Sequence, residues 1–277
     1  MADALPSPRP LMVTHHSAQT LSIEGADAVA FAQSQFTSDV QALAVGQWQF
    51  SAWLDAQGRV LAFFHLARVA EDALLLLLRG GDAAAMAQSL QRYVFRAKVR
   101  LTALAPRHLG TGQALDTYAV AREGDAYRIG CGDHSLVIGA ERNDEAWQRP
   151  QVLAGWPWLP ENVLGTLLPP ALSFERLQAV SFAKGCYPGQ EIVARLHYRG
   201  GHKRHMHCVV LSQYLTGGTL LRHGDDGAVQ VLDVAHDGAR TLALAVIDDQ
   251  LATSLQNSTF DIADEVITMH IEKSWPA

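Results

Sequence analysis

Readable patterning begins at residues 20–40, TLSIEGADAVAFAQSQFTSDV, which predicts a short strand and then a helix. Asp27 stands where an N-cap belongs, and Val29, Phe31, Ala32 and Phe36 form an apolar stripe behind it. QWQFSAWLD (47–55) alternates, placing Trp48, Phe50 and Ala52 on one face of a strand. A turn at AQGR, holding Gly58, leads into VLAFFHLARV (60–69), so the pair predicts a hairpin. ALLLLLR (73–79) is apolar without alternation, and its length and flanks predict a buried strand. GDAAAMAQSLQRYVF (81–95) predicts a helix capped by Asp82, and KVRLTAL (98–104) another alternating strand. The first hundred or so residues thus predict an antiparallel sheet covered by two helices.

The signal weakens over 106–170. LDTYAVAR and HSLVIG predict strands, and NDEAWQ (143–148) a helix opening at Asn143 and limited by Pro150. GWPWLPENVLGTLLPP (155–170) reads as a loop crossing between units. After residue 191 the texture changes to short strands separated by turn residues: MHCVVLS, TLLRHG, AVQVLDVAHDG, RTLALAVIDD and EVITMHIEK. That spacing predicts a small barrel or sandwich of about six strands. Asp225-Asp226 and Asp248-Asp249 are expected in turns between strands.

Composition adds bounds. The chain has 277 residues, enough for two or three compact units. A net charge of -6 argues against broad nucleic-acid binding. The longest apolar run is too short to span a bilayer, and MADALPSPRP lacks the cationic start of a secretory signal. The three cysteines, Cys131, Cys186 and Cys208, form no C-x-x-C pair and fit a reducing cytoplasm.

The candidate chemistry centres on AKGCYPGQE (183–191). Gly185 and Gly189 permit backbone angles closed to other residues, and Pro188 stiffens the turn. Lys184 precedes Cys186 by two residues, and EIVARL then starts a short helix with Glu191 near its N-terminus. A lysine and a helix start both favour a thiolate. Cys186 is therefore either a reactive thiol or a small buried residue at a tight turn. Arg195 and Arg199, four apart, share one helical face and suit an anion such as a carboxylate or phosphate. His205 and His207 share one face of a strand, with Cys208 on the other. Their spacing matches no zinc pattern, and solvated histidines at a barrel edge account for them. Trp147, Trp156 and Trp158 serve either to stack a flat heterocycle or to fill the core where units meet. GTGQAL (110–115) lacks the third glycine of a dinucleotide fingerprint, and no phosphate loop or nucleophile elbow is present.

VSFAKGCYPGQEIVARLHYRG (180–200) resembles the signature of the YgfZ folate-binding proteins, relatives of the glycine-cleavage T-protein, of the form K-G-C-Y-x-G-Q-E. Residues 23–40 resemble that family's N-terminal strand and helix, and LDAQGRV (54–60) its first hairpin. The resemblance implies an α+β fold of three parts around a central hole. These are a ferredoxin-like part (1–105), a second α+β part ending in the signature loop (106–190) and a C-terminal β-barrel (191–277). It implies tetrahydrofolate or a derivative bound in the hole. Cys186 would be the working thiol, with Trp147, Lys184, Tyr187, Gln190, Glu191, Arg195 and Arg199 around the ligand. The implied role is support of the assembly or repair of iron–sulfur enzymes, including tRNA-methylthiolating ones, by a cytoplasmic monomer with no resident metal.

The chain departs from its relatives at named positions. The T-protein carries an Asp pair after the hairpin glycine, where this chain has Ala62 and Phe63, so classical aminomethyl transfer is not expected. Ala18 stands in place of a folate-site Trp. Leu153 stands in place of a Glu expected to accept from the pterin's N–H edge. Two other readings follow: a folate-dependent one-carbon transferase, and a scaffold that contacts iron–sulfur proteins without folate.

Overall fold

The computed structural model describes residues 17–222, 228–237, 240–254, 258–262 and 265–275. The elements run β1 (Ser17–Ala18), β2 (Thr20–Glu24), α1 (Ala28–Gln35), β3 (Gln47–Leu54), β4 (Val60–Ala70), β5 (Ala73–Gly80), α2 (Ala83–Gln91) and β6 (Arg100–Ala103). Then come β7 (Arg107–Gly112), β8 (Val120–Glu123), β9 (Ala126–Gly130), β10 (Ser135–Ile138), α3 (Gln148–Ala154) and α4 (Gln190–Arg199). The last group is β11 (Arg204–Leu211), β12 (Leu220–Arg222), β13 (Ala228–Asp237), β14 (Arg240–Asp248), α5 (Asp249–Ser254), β15 (Ser258–Ile262) and β16 (Glu265–Ser274).

These strands make three antiparallel sheets. The first is ordered β3-β4-β5-β2-β6, the second β1-β7-β10-β9-β8, and the third β12-β13-β14-β11-β16-β15, which curls into a half-barrel. The apolar run in β5 lacks alternation because both faces of its sheet are covered. Leu74, Leu76 and Leu78 pack with Phe31, Phe36, Met86 and Leu90 beneath the two helices, while Leu75 and Leu77 join the core shared with the rest of the chain. β14 sorts its residues the same way. Leu242, Leu244 and Val246 face the shared core, and Ala243, Ala245 and Ile247 face the half-barrel interior. Each fully buried leucine contributes about 2 kcal/mol. The first and second sheets are joined by backbone bonds between Trp48 and Tyr118 and between Val120 and Gly46, and by the Trp48 indole donating to the Gly130 carbonyl.

Several local expectations change. Asp27 precedes α1 without capping it, because its carboxylate accepts the Lys98 N–H at 2.6 Å. Asp82 does cap α2, accepting from Ala85 N at 2.7 Å. That helix ends at Gln91, and Phe95, with a φ of 37°, lies beyond it. No helix opens at Asn143. The Asn143 and Asp144 side chains accept from Leu109 N and Thr111 N of β7, and Asp144 also accepts from Ala146 N in the turn before α3. The helix α3 starts at Gln148, and Pro150 sits in its first turn, where a missing N–H costs nothing. The short polar strands β7 and β9 carried too little apolar alternation to be read. Asp248 ends β14 and accepts from Ala228 N, and Asp249 opens α5, so neither is a simple turn residue. Asp225-Asp226 lie outside the described residues.

Candidate functional site

Two regions concentrate polar chemistry. The first is the loop around Cys186. Its approach is fixed by the end of α1: the Thr37 hydroxyl donates to Ala179 O at 2.6 Å, and Ser181 N donates to Thr37 O at 2.9 Å. Lys184, 8% exposed, drives its ammonium into the same turn and donates to the carbonyls of Phe36 and Ser38. Burial pulls its pKa down to about 8, against the pull of Asp39. The loop's other end rests on the β3–β4 turn, where the Asp55 carboxylate accepts from Gln57 N and Arg59 N. Gly189, at φ 78°, precedes α4, and a Cβ there would collide with the Asp55 carbonyl oxygen and the Gly58 backbone. Only glycine fits this crossing.

Between those anchors Cys186 is exposed. Cys131 and Cys208 are buried, and burial pushes their thiols up to about 12 and about 11. Cys186 is thus the accessible thiol, not the turn filler. The lysine argument for it changes, since no hydrogen bond joins Lys184 to Cys186 among the described residues. The Lys184 ammonium instead also lies 5.1 Å from the centre of the Tyr187 ring. Tyr187 is buried, its hydroxyl is without a partner, and burial pushes its pKa up to about 12. Gln190 and Glu191 open α4, and Arg195 and Arg199 are exposed along it.

The second region is a cavity of about 920 Å³ where the three sheets meet. Its walls include Ala62 at the start of β4, Trp158 in the crossover, Gln148 at the start of α3 and Asp233 in β13. Arg92, exposed, stands at its rim. Arg79, at the end of β5, lines it and is wholly buried. The Arg79 guanidinium donates to Pro157 O at 2.9 Å, Trp156 O at 2.5 Å and Gln151 Oε1 at 2.7 Å. Its carbon lies 4.7 Å from the Trp158 ring centre. Burial lowers its pKa to about 9, opposed chiefly by the charge of Asp233. The neighbouring His65 is held well below its usual range by burial and then by the Arg79 charge.

The two regions do not share residues. Cys186, Lys184, Tyr187, Gln190, Glu191, Arg195 and Arg199 all lie outside the cavity wall. Trp147 is wholly buried in the shared core, with its ring centre 5.0 Å from that of Trp158, and it is Trp158 that reaches the cavity. Ala18 and Leu153 pack on the same core. The histidines also change character. β11 is paired on both sides, by β14 and β16, so it is no edge, and His207 is buried with Nδ1 against Ser274 Oγ at 2.9 Å. His205 pairs with Asp249 at 2.5 Å. Among the described residues no three His, Cys, Asp or Glu side chains are placed to hold a metal ion. No helix among them is long and apolar enough to cross a membrane.

Sequence reading missed Arg79 and Asp233. Their signal was present: Arg79 is the lone charge of β5, and Asp233 interrupts the apolar stretch VLDVA of β13. Such a charge is buried only where something pairs with it.

Comparison with known proteins adds the following. The GCVT N-terminal domain family matches residues 12–109. An uncharacterized protein of Haemophilus influenzae is 31% identical over 194 residues, covering 68% of this chain and 69% of that one. The tRNA-modifying protein YgfZ of Edwardsiella ictaluri is 29% identical, covering 72% and 73% of the two chains. The protein of that name from Shigella boydii is 25% identical, covering 91% and 88%. The crystal structure of the glycine cleavage system aminomethyltransferase T from Bartonella henselae superposes with a TM-score of 0.67. It covers 94% of this chain and 85% of that one at 16% identity, a likeness of fold.

Proposed function

The chain belongs to the YgfZ family, relatives of the glycine-cleavage T-protein, and on that premise we propose that it is a cytoplasmic folate-binding accessory protein. It supports the assembly or repair of iron–sulfur enzymes, those that methylthiolate tRNA among them, and Cys186 is its working thiol. The observation that carries this reading is the cavity at the junction of three sheets, to which the parts 1–105, 106–190 and 191–277 all contribute wall. Its size and its mix of apolar wall with a few buried polar groups suit a flat heterocycle with a polar tail. Trp158 offers the ring face, Gln148 and Asp233 the hydrogen-bonding groups, and Arg92 at the rim a partner for the tail's carboxylates. A bound tetrahydrofolate would supply one-carbon chemistry, and the chain's own residues would hold and orient it. The transferase reading lacks its acid, since Ala62 stands in the wall.

One observation favours the folate-free scaffold: Cys186 is outside the cavity wall, on the exposed surface. Two measurements decide. Cys186→Ala is expected to leave iron–sulfur enzyme activities unrestored in a strain lacking the protein. Full restoration would make Cys186 structural. Tetrahydrofolate is expected to bind the purified protein in calorimetry, and absence of binding would leave the scaffold.

A further inference from the structure

We propose that Asp233 reads the donor edge of the heterocycle in the cavity, its carboxylate accepting from the ring N3–H and the 2-amino group of a pterin. This rests on the folate reading above. The argument starts from strand register. Along β13, Val229 and Val231 face the half-barrel interior. Unbroken alternation would carry residue 233 to that same apolar face, where a carboxylate finds no partner. Instead the pairing with β14 slips: Val231 lies opposite Ala245 and Asp233 opposite Leu244, leaving Leu232 as an extra residue. Such a bulge re-aims side chains. Leu232, Asp233 and Val234 all line the cavity, and Val234 also packs with the half-barrel interior, so the carboxylate leaves the apolar face that Val229 and Val231 share.

The bulge thus moves a charge from an apolar core to a ligand wall, and the wall is prepared for it. Asp233 is 4% exposed, so little water competes for its oxygens. The buried Arg79 lines the same cavity and its charge interacts with that of Asp233, while the guanidinium N–H groups serve Pro157, Trp156 and Gln151. Asp233 Oδ2 also accepts from Trp158 N at 3.4 Å, which fixes the carboxylate against the indole that forms the same wall. Two coplanar acceptors on one carboxylate match two parallel N–H groups on a planar edge. Leu153 carries no acceptor and packs against the core, so the edge must be met from another element.

The test compares pterin with lumazine, which has a carbonyl in place of the 2-amino group, by calorimetry on the full chain. The wild type is expected to prefer pterin by at least about tenfold, as loss of a charge-assisted bond requires. Asp233→Asn, close in shape, is expected to weaken pterin about tenfold to a hundredfold and bring the ratio near one. An unchanged ratio, or an equal loss for both compounds, would make Asp233 structural and overturn the assignment. If Asp233→Asn does not fold, Asp233→Glu carries the test. Pterin affinity should then fall by more than lumazine affinity, because lumazine keeps only the N3–H, and an unchanged pterin affinity would overturn it. A wild type that binds tetrahydrofolate but shows no pterin preference overturns Asp233 alone. One that binds neither pterin nor tetrahydrofolate overturns the folate reading with it.

Discussion

The loop around Cys186 and the cavity are built by opposite means. The loop is a run of nine residues in which Gly189 and Lys184 meet local demands. Lys184 bonds the backbone carbonyls at 36 and 38, and Gly189 packs against the carbonyl at 55, whereas Gly185 has open space where a Cβ would stand and no left-handed φ. The cavity is assembled from single side chains on strands and crossings far apart in the chain, bound by a buried guanidinium. The difference teaches where each is vulnerable. A cavity held by one charged hub fails through that hub, whereas a loop held at both ends fails through its anchors while its exposed thiol carries little of the fold.

The strongest way to break this contrast is Arg79→Met. It strips donors from Pro157, Trp156 and Gln151 and removes the guanidinium charge that acts on Asp233. Leaving those buried acceptors without their charged donor costs about 1–3 kcal/mol each. Chemical denaturation should show that loss, and a loss below about 1 kcal/mol would deny Arg79 its place as hub. Next is Gly189→Ala, which adds a Cβ against Asp55 O at a left-handed backbone angle. The expected cost is about 1–3 kcal/mol, with the loop becoming protease-sensitive while ligand binding in the cavity persists. Loss of both together would merge the two regions into one.

Lys184 sharpens the comparison through pH. Its folded pKa, about 8, lies below the ordinary 10.5, so between those values the unfolded chain binds more protons than the folded one. Stability contributed by this group therefore rises as pH increases from 8 to 10.5 and is flat below. Thermal melts across that window should show the rise in the wild type and not in Lys184→Met. The smallest structural effect belongs to Cys186→Ser, within about 0.5 kcal/mol because the side chain is exposed. A larger loss would show that the thiol packs.

Much of the loop was legible without a structure. Gly189 and the helix start after it follow from short-range backbone preference, as do the β3–β4 hairpin at Gly58 and the Asp82 cap. Less legible were residues whose side chains are spent on distant partners. Asp27, Asn143 and Asp144 look like caps, yet each stitches a separate strand or loop. Trp147 and Trp158 could not be told apart by spacing, since which indole reaches the cavity depends on how α3 packs on β13 and β14.

By itself the sequence determined the strands and helices of the first hundred residues, the double-sided burial of β5, the left-handed turn at Gly189 and the absence of a carboxylate at Ala62 and Leu153. Those properties depend on neighbours a few residues away or on identity alone. Only the tertiary structure decided that Lys184 faces carbonyls, that Cys186 stands outside the cavity, and that Arg79 and Asp233 line the same wall. Period-two alternation places Asp233 with Val231, and the register slip against β14 reverses it. A bulge is set by the pairing of two strands, and no single strand's pattern contains it.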